Sequence, residues 1–440
     1  MSIESTSGSL PEGWESRTLK LCLEKLKSGK YVERGWSPQC LRHPAENTWG
    51  VLKTTSVQMG EYLPEYNKEL PESLEPKVGL EVNDGDFLVT TTGPRNRCGV
   101  VCNVRTTPRK LIFSGKILRF RADESKVLAS YLMYLLMSPN YQKVLDGLKV
   151  GTSDSSVSIG NQQILDLEIP LASIDEQTKI VEILEKQLSR LDAALASVQA
   201  AIRKASRYRR SLLNAAFTGS LSGNYVDTGE LPEGWKRLAL GDVLEDAQSG
   251  FASGIHNSTG TGVVHMRPMN VSRDGNIDFS ETKYVEDKSN RRLHRGDVLF
   301  NNTNSSALVG KTAFVDTDEE LAFSNHMTRL RPDSSLVMAR FLASQLHALW
   351  LNGYFEEICS NHVNQASVST KRLKEVEVNF PSLEEQKSIV EVLEEQLSRL
   401  DAALVIGEAI EKKTTALRRS LLHAAFTGEL TKEWRGVVHV

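Results

Sequence analysis

Apolar residues return every three or four positions through one long stretch of this chain: Ile180, Leu184, Leu188, Leu191, Leu195, Val198 and Ile202. That spacing places all of them on one stripe of an α-helix, the a/d seam of a coiled coil. No Pro or Gly interrupts Glu176 to Phe217, and Gly219 stands where a helix stop is expected. A helix of ~40 residues rising 1.5 Å per residue is a rod of roughly 60 Å. The pattern returns as Ile389, Leu393, Leu397, Leu400 and Leu404, then falters at Gly407 and Glu411. Ile410, Leu417 and Leu421 are expected to resume it on a slightly rotated face. A rod of this kind cannot bury its seam alone. Leu184, Leu188, Leu191 and Leu195 are therefore expected to pair with Leu393, Leu397, Leu400 and Leu404 in an antiparallel coiled coil, the Leu191 region beside the Leu400 region. The other arrangement open to the sequence is that each helix packs only on the module ahead of it.

The two helices are copies. Residues 176–221 and 385–430 align without a gap, with 29 of 46 positions identical. Fainter landmarks repeat ahead of them. Leu10-Pro-Glu-Gly-Trp14 returns as Leu231-Pro-Glu-Gly-Trp235, Gly85-Asp86 as Gly296-Asp297, and Val157-Ser158 is matched to Val368-Ser369. Order is kept while the offset drifts, which implies one scaffold with different contents. The predicted segments are a first module (1–175), a first helix (176–222), a second module (223–384) and a second helix (385–432). The modules read as mixed α/β of the α+β kind. Asn83-Asp84-Gly85 supplies turn chemistry ahead of the β-prone Phe87-Leu88-Val89-Thr90. Val298-Leu299-Phe300 is its counterpart, Gly99–Val104 and Gly310–Val315 are second strands, and a helix follows in each module over 127–137 and 336–350. Between the paired strands lie polar loops, Thr90–Arg97 and Asn301–Ser306, where the copies differ most.

Composition narrows the chemistry. The 440 residues carry a net charge of −3, so a nucleic-acid surface would have to gather its cations locally. Met1–Gly13 lacks an apolar signal core, and the longest apolar run, 128–137, is too short for a bilayer. Five cysteines form no C-x-x-C pair, which predicts reduced thiols and a cytoplasmic protein. Gly310-Lys311-Thr312 imitates the end of a P-loop, but Ser305 stands where its first Gly belongs. Asp278, Glu281 and Lys283 are too close in sequence for a nuclease site, and His256 and His265 lack a third ligand. An amino-methyltransferase loop of the Asn/Asp-Pro-Pro-Tyr/Phe type is absent.

The ordered set of motifs resembles the specificity subunit of type I restriction–modification systems. Its parts are the Leu-Pro-Glu-Gly-Trp openings, Gly-Asp-Val-Leu-Phe (296–300), Pro-Ser-Leu-Glu-Glu-Gln (381–386) and Ala-Ala-Phe-Thr-Gly-Glu-Leu (424–430). A further part is the Gly-Lys-Thr-Ala strand (310–313), from which the first module departs locally, since Gly99-Val-Val-Cys lacks the Gly-Lys. The resemblance implies two target recognition domains, each reading half of a bipartite double-stranded DNA sequence, and helices that set the spacer. It also implies that two modification subunits dock and that restriction subunits, ATP-dependent translocases and nucleases, can join. S-adenosylmethionine and adenine methylation would belong to the modification subunit, with no catalytic site, cofactor or metal on this chain and no membrane contact. The candidate DNA contacts are Lys53, Arg95, Asn96, Arg97, Arg105, Arg109, Arg267, Arg292, Arg295, Asn301, Asn302 and Asn304. Arg95, Arg97, Asn301, Asn302 and Asn304 are the expected base readers, because Arg and Asn pair well with base edges. The competing reading is a coiled-coil adaptor whose modules bind proteins.

Overall fold

The computed structural model describes residues 10–222, 231–287, 289, 291–363 and 365–438. They divide into two compact units, Met1–Ser197 with Ala409–Val440, and Val198–Glu408. In the first, strand Phe87–Thr90 lies between Val101–Asn103 and Ile117–Phe120, antiparallel to both, and Glu33–Arg34 forms the edge. Side chains alternate across a strand. Phe87 and Val89 accordingly enter the core around Tyr131 and Leu132, while Leu88 enters a second core with Phe113 and Cys102. Both faces are covered, so the strand reads as an unbroken apolar run. Asp86 is fully buried at its start, accepting Asn83 N at 2.8 Å and Arg121 Nε at 2.6 Å. A smaller sheet sets Gly50–Leu52 between Asn67–Glu69 and the parallel Leu111–Phe113. Helices α1 (Ala129–Met137), α2 (Pro139–Gly147) and α3 (Asn161–Leu165) follow. Strand Glu168–Leu171 then pairs back onto Glu15–Thr18 and leads into α4 (Ile174–Phe217).

The second unit repeats this order. Val298–Asn301 lies between Thr312–Phe314 and Met327–Pro332, with Leu244–Ser249 at the edge. Val263–Met266 lies between Tyr284–Val285 and the parallel Leu321–Phe323. Asp297 accepts His294 N at 2.7 Å and Arg331 Nε at 2.8 Å, as Asp86 does with its own turn and arginine. Helices α5 (Ala339–Leu351), α6 (Tyr354–Ile358) and α7 (Thr370–Lys374) precede strand Glu377–Phe380, which pairs with Lys236–Ala239 and leads into α8 (Leu383–Phe426). A short α9 (Lys432–Val438) is the last described element and belongs to the first unit. One sequence landmark is displaced. Ile159 N donates to Thr91 O and Val368 N to Asn302 O, both at 2.9 Å, so Val368 is the counterpart of Ile159 and Ala366 that of Val157. The repeated Val-Ser string misled by two residues, because strand bonding rather than identity fixes equivalence.

The helices pair, but in a crossed manner. In the first unit Ile180, Leu184 and Leu188 share a core with Leu422, Ala425 and Phe426. Phe426 meets the ring of Tyr131 edge-on at 5.2 Å. Glu176 lies against Thr431 and Arg435, and Asp192 pairs with Arg418, so the segments are antiparallel. In the second unit Leu212, Leu213 and Ala216 meet Ile389, Val390 and Leu393, Phe217 meets Phe341 edge-on at 5.2 Å, and Arg209 pairs with Asp401. Leu191 therefore has Leu421, and not Leu400, in its cluster. Leu195, Leu400 and Leu404 are half-buried. Gly407 is no break in the seam. It is buried, and a Cβ there would come within 3.2 Å of Ile202. The predicted rotation is absent: Ile410 and Leu417 are 38% and 50% exposed, and the half-buried line runs through Glu411, Thr414 and Arg418 to Leu421.

Each long helix is fastened to its module by a fully buried glutamine. Gln177 accepts Leu128 N at 2.9 Å and donates to Ala172 O and Lys126 O. Gln386 accepts Met338 N at 2.8 Å and donates to Pro381 O and Leu336 O. Leu128 and Met338 precede α1 and α5, so one amide serves an otherwise unpaired helix-start N–H and two carbonyls. Gln177→Leu or Gln386→Leu would strand all three groups. Either is expected to cost roughly 2–4 kcal/mol, read as a lower urea midpoint for the affected unit.

The modules differ in how this joint is filled. Met133, Tyr134 and Met137 of α1 correspond to Ala343, Ser344 and His347 of α5. The smaller side chains leave an open cleft of about 580 Å³ in the second unit. His347 is buried there beneath Gly275 with neither ring nitrogen hydrogen-bonded, where Met137 lies beneath Gly60. Burial, reinforced by Arg209, pushes the His347 pKa down to about 4. A free imidazole titrates near 6.5, so between these values the unfolded chain holds the extra proton and stability falls as pH drops. His347→Met is expected to remove a pH-dependent loss on the order of 2–3 kcal/mol between pH 6.5 and 4. Urea midpoints of both proteins at pH 7 and 4.5 measure it, and an equal acid loss in both would refute the assignment.

Candidate DNA interface

In both modules three polar segments meet at the same end of the central sheet. The loop leaving the central strand forms a short strand, Thr92–Gly93 or Thr303–Asn304. It pairs with a hairpin: Val150–Ser153 with Ser156–Ser158 in the first module, Ser360–Asn361 with Ala366–Ser367 in the second. The turn after the smaller sheet is the third segment. Arg97 donates to Thr54 O and Val57 O at 2.8 Å and to Gln58 Oε1 at 2.9 Å, and Asn301 Nδ2 donates to Pro268 O at 2.9 Å. Lys53 and Arg267 open these turns, at matching positions.

The predicted contacts sort by what their polar atoms already do. Asn96 is exposed, Asn304 is half-exposed with its carbonyl taken by Ser305 N, and half-buried Lys53 lies over the Tyr66 ring. Arg95 is partly exposed and fastens loop to hairpin, with Nε on Asp154 at 2.8 Å and Nη1 on Asp146 at 3.2 Å. Arg97 spends its guanidinium on the neighbouring turn. Arg267 donates to Glu281 O at 3.0 Å. Asn301 is wholly buried, and Asn302 is 7% exposed with its Nδ2 on Asn325 O and Thr328 Oγ1. A buried amide offers nothing to a base edge; these two brace the loop root. The remaining arginines lie elsewhere. Antiparallel pairing carries Arg105 and Arg109 to the strand end opposite the loop, and Arg292 and Arg295 precede Val298 at that same opposite end. Arg105 and Arg109 are exposed there. Arg292 is paired with Asp287 and Glu320, and Arg295 with Asp316 and Asp318. In the sequence Arg105 and Arg109 closely follow the loop at 90–97, and Arg292 and Arg295 closely precede the one at 301–306.

The imitators of chemistry have structural work: of the acidic–lysine trio, Lys283 donates to Ser258 Oγ at 2.6 Å. Lys311 is buried, its ammonium donates to Val271 O, and burial pushes its pKa down. His256 Nε2 and His265 Nδ1 share one hydrogen bond at 2.9 Å beneath Phe251. Among the described residues no group of three His, Cys, Asp or Glu side chains is placed to hold a metal, and no helix is long and apolar enough to cross a membrane.

The sequence matches the family described as the Type I restriction modification DNA specificity domain over residues 48–199 and 232–407. The chain belongs to this DNA specificity family. It is 34% identical to the Escherichia coli EcoEI specificity subunit over 209 residues, 47% of this chain and 34% of that one. It is 23% identical to the Salmonella potsdam StySPI specificity subunit over 97% of this chain and 91% of the other. A chain from a solved structure on the assembly and conformational transition of the type I R-M system superposes with a TM-score of 0.72 at 20% identity, covering 96% of this chain and 99% of that one. The HsdS subunit of Thermoanaerobacter tengcongensis does so at 0.55 and 20% identity, over 97% and 100%. Both show the same fold.

Within this specificity fold, the hairpins are what a reading of the sequence missed. The Ser-rich run Ser153–Ser158 signals a turn, but nothing local says that it joins the strand leaving Thr91. The geometry separates braces from surface residues. Arg97→Ala should lower the melting temperature by several degrees, since it unties the 54–58 turn, whereas Asn96→Ala should leave it unchanged. Thermal scans of both variants make the comparison; equal melting temperatures would remove Arg97 from the framework.

Proposed function

We propose that this chain reads a bipartite double-stranded DNA target, one half-site per module, without catalysing any step itself. One observation carries the reading: the two modules share strand order, buried Gly-Asp anchors and glutamine fastening, yet present different side chains at the same polar end. A common frame with unlike contents suits two unlike half-sites. Asn96 and Asn304 are the surface candidates from the loops for base edges. Lys53, Arg95 and Arg267 would hold phosphates near them.

Partner docking is part of the same proposal. The repeated helix segments offer similar surfaces twice, which favours two modification subunits per chain, with restriction subunits joining them. S-adenosylmethionine and the chemistry of adenine methylation would reside on the modification subunits, in the cytoplasm where the DNA is. Methylated adenines mapped genome-wide in the producing cell, with and without this chain, provide the test. The expected result is one bipartite motif that disappears with the chain. Methyl transfer by the purified chain alone would overturn the proposal.

A further inference from the structure

We infer that the hairpins at 150–158 and at 360–363 with 365–367, rather than the loops at 90–97 and 301–306, carry most of the sequence discrimination, each for its own half-site. The inference rests on the DNA-reading proposal above and assigns it to particular residues. Three observations support it.

The first is placement. Each hairpin is bonded edge-on to the strand leaving the central sheet, and both are anchored by one buried residue, Val157 (3% exposed) and Ala366 (1%). An antiparallel ribbon of two strands is narrow enough for a major groove about 12 Å wide. The second is chemistry. Thr152 and Ser153, and Asn361 and His362, are exposed. These are hydrogen-bonding side chains of the kind that read base edges. Val363 is 98% exposed, an apolar group of the kind that meets a thymine methyl. The third is contrast. Where the modules need the same mechanics they keep the same residue, as in Asp86 and Asp297 or Gln177 and Gln386. Val150 and Ser360 pair with the equivalent Ser158 and Ser367, so Gly151-Thr152-Ser153 corresponds to Asn361-His362-Val363, with no residue in common. Arg95 strengthens the first case, since its bond to Asp154 braces the hairpin against the loop and reduces the ordering lost on binding.

The test uses the full chain co-expressed with its modification subunits, with the methylated motif mapped genome-wide. Thr152→Ala with Ser153→Ala should relax the half-site read by the first module, raising methylation at sites with one wrong base at least tenfold. The half-site read by the second module should keep its stringency. Asn361→Ala with His362→Ala should do the reverse. Melting temperatures within a degree of the parent show that the fold survives, and an Arg105→Ala variant, at the strand end opposite the loop, should change neither half-site. If both double variants keep the parental motif, or lose methylation without relaxing either half, the hairpins are not the readers. If the parent itself yields no bipartite motif, the DNA-reading proposal fails before the hairpins are at issue.

Discussion

A helix with a narrow apolar stripe is unstable until something covers the stripe, and most of this architecture follows from how that need is met. The start of α4 is tied to the first module through Gln177 and Glu176, and its end closes the second unit through Phe217. The start of α8 is tied to the second module through Gln386, and its end closes the first unit through Phe426. Each module is thus completed by a helix end from the other copy. This accounts for the near-identity of the helices. The same side chains must fit a fastening at one end and a core at the other, so few substitutions satisfy both.

The same constraint explains which repeated motifs are mechanical. Leu-Pro-Glu-Gly-Trp ends in a tryptophan whose indole N–H donates to a first-turn carboxylate of a long helix, Trp14 to Glu176 at 2.9 Å and Trp235 to Glu385 at 3.2 Å. Gly-Asp places a buried carboxylate under a turn and beside an arginine of the next strand. Side chains held this way are not available to a ligand. What is free to vary lies at the polar ends of the sheets, where loop, turn and hairpin meet and few residues, Val157 and Ala366 among them, enter a core.

The candidate site was legible in part. The polar loops could be seen because Thr-Thr-Thr-Gly-Pro and Asn-Asn-Thr-Asn interrupt otherwise apolar strands. Which of their residues faced outward could not be seen. Arg97 looks like a free cation until the turn at Thr54–Val57 is folded against it, and Asn301 looks like a reader until Pro268 O covers its amide. Arg105 and Arg295 are close to the loops in sequence but separated from them by the length of a strand. The hairpins were invisible because their pairing partners lie more than fifty residues away.

Periodicity and self-similarity determined the duplication, the two long helices, the mixed α/β modules and, through the ordered motifs, the family. Those are properties of local spacing, and a helix or strand writes its burial pattern directly into residue order. Only the tertiary structure decided that the helices pair crosswise, that Gly407 marks a close approach to Ile202, and that Val368 answers Ile159. It alone showed most of the predicted arginines already committed within the protein. Those outcomes depend on which distant groups compete for each seam and each hydrogen bond, and that competition is settled only when the whole chain packs.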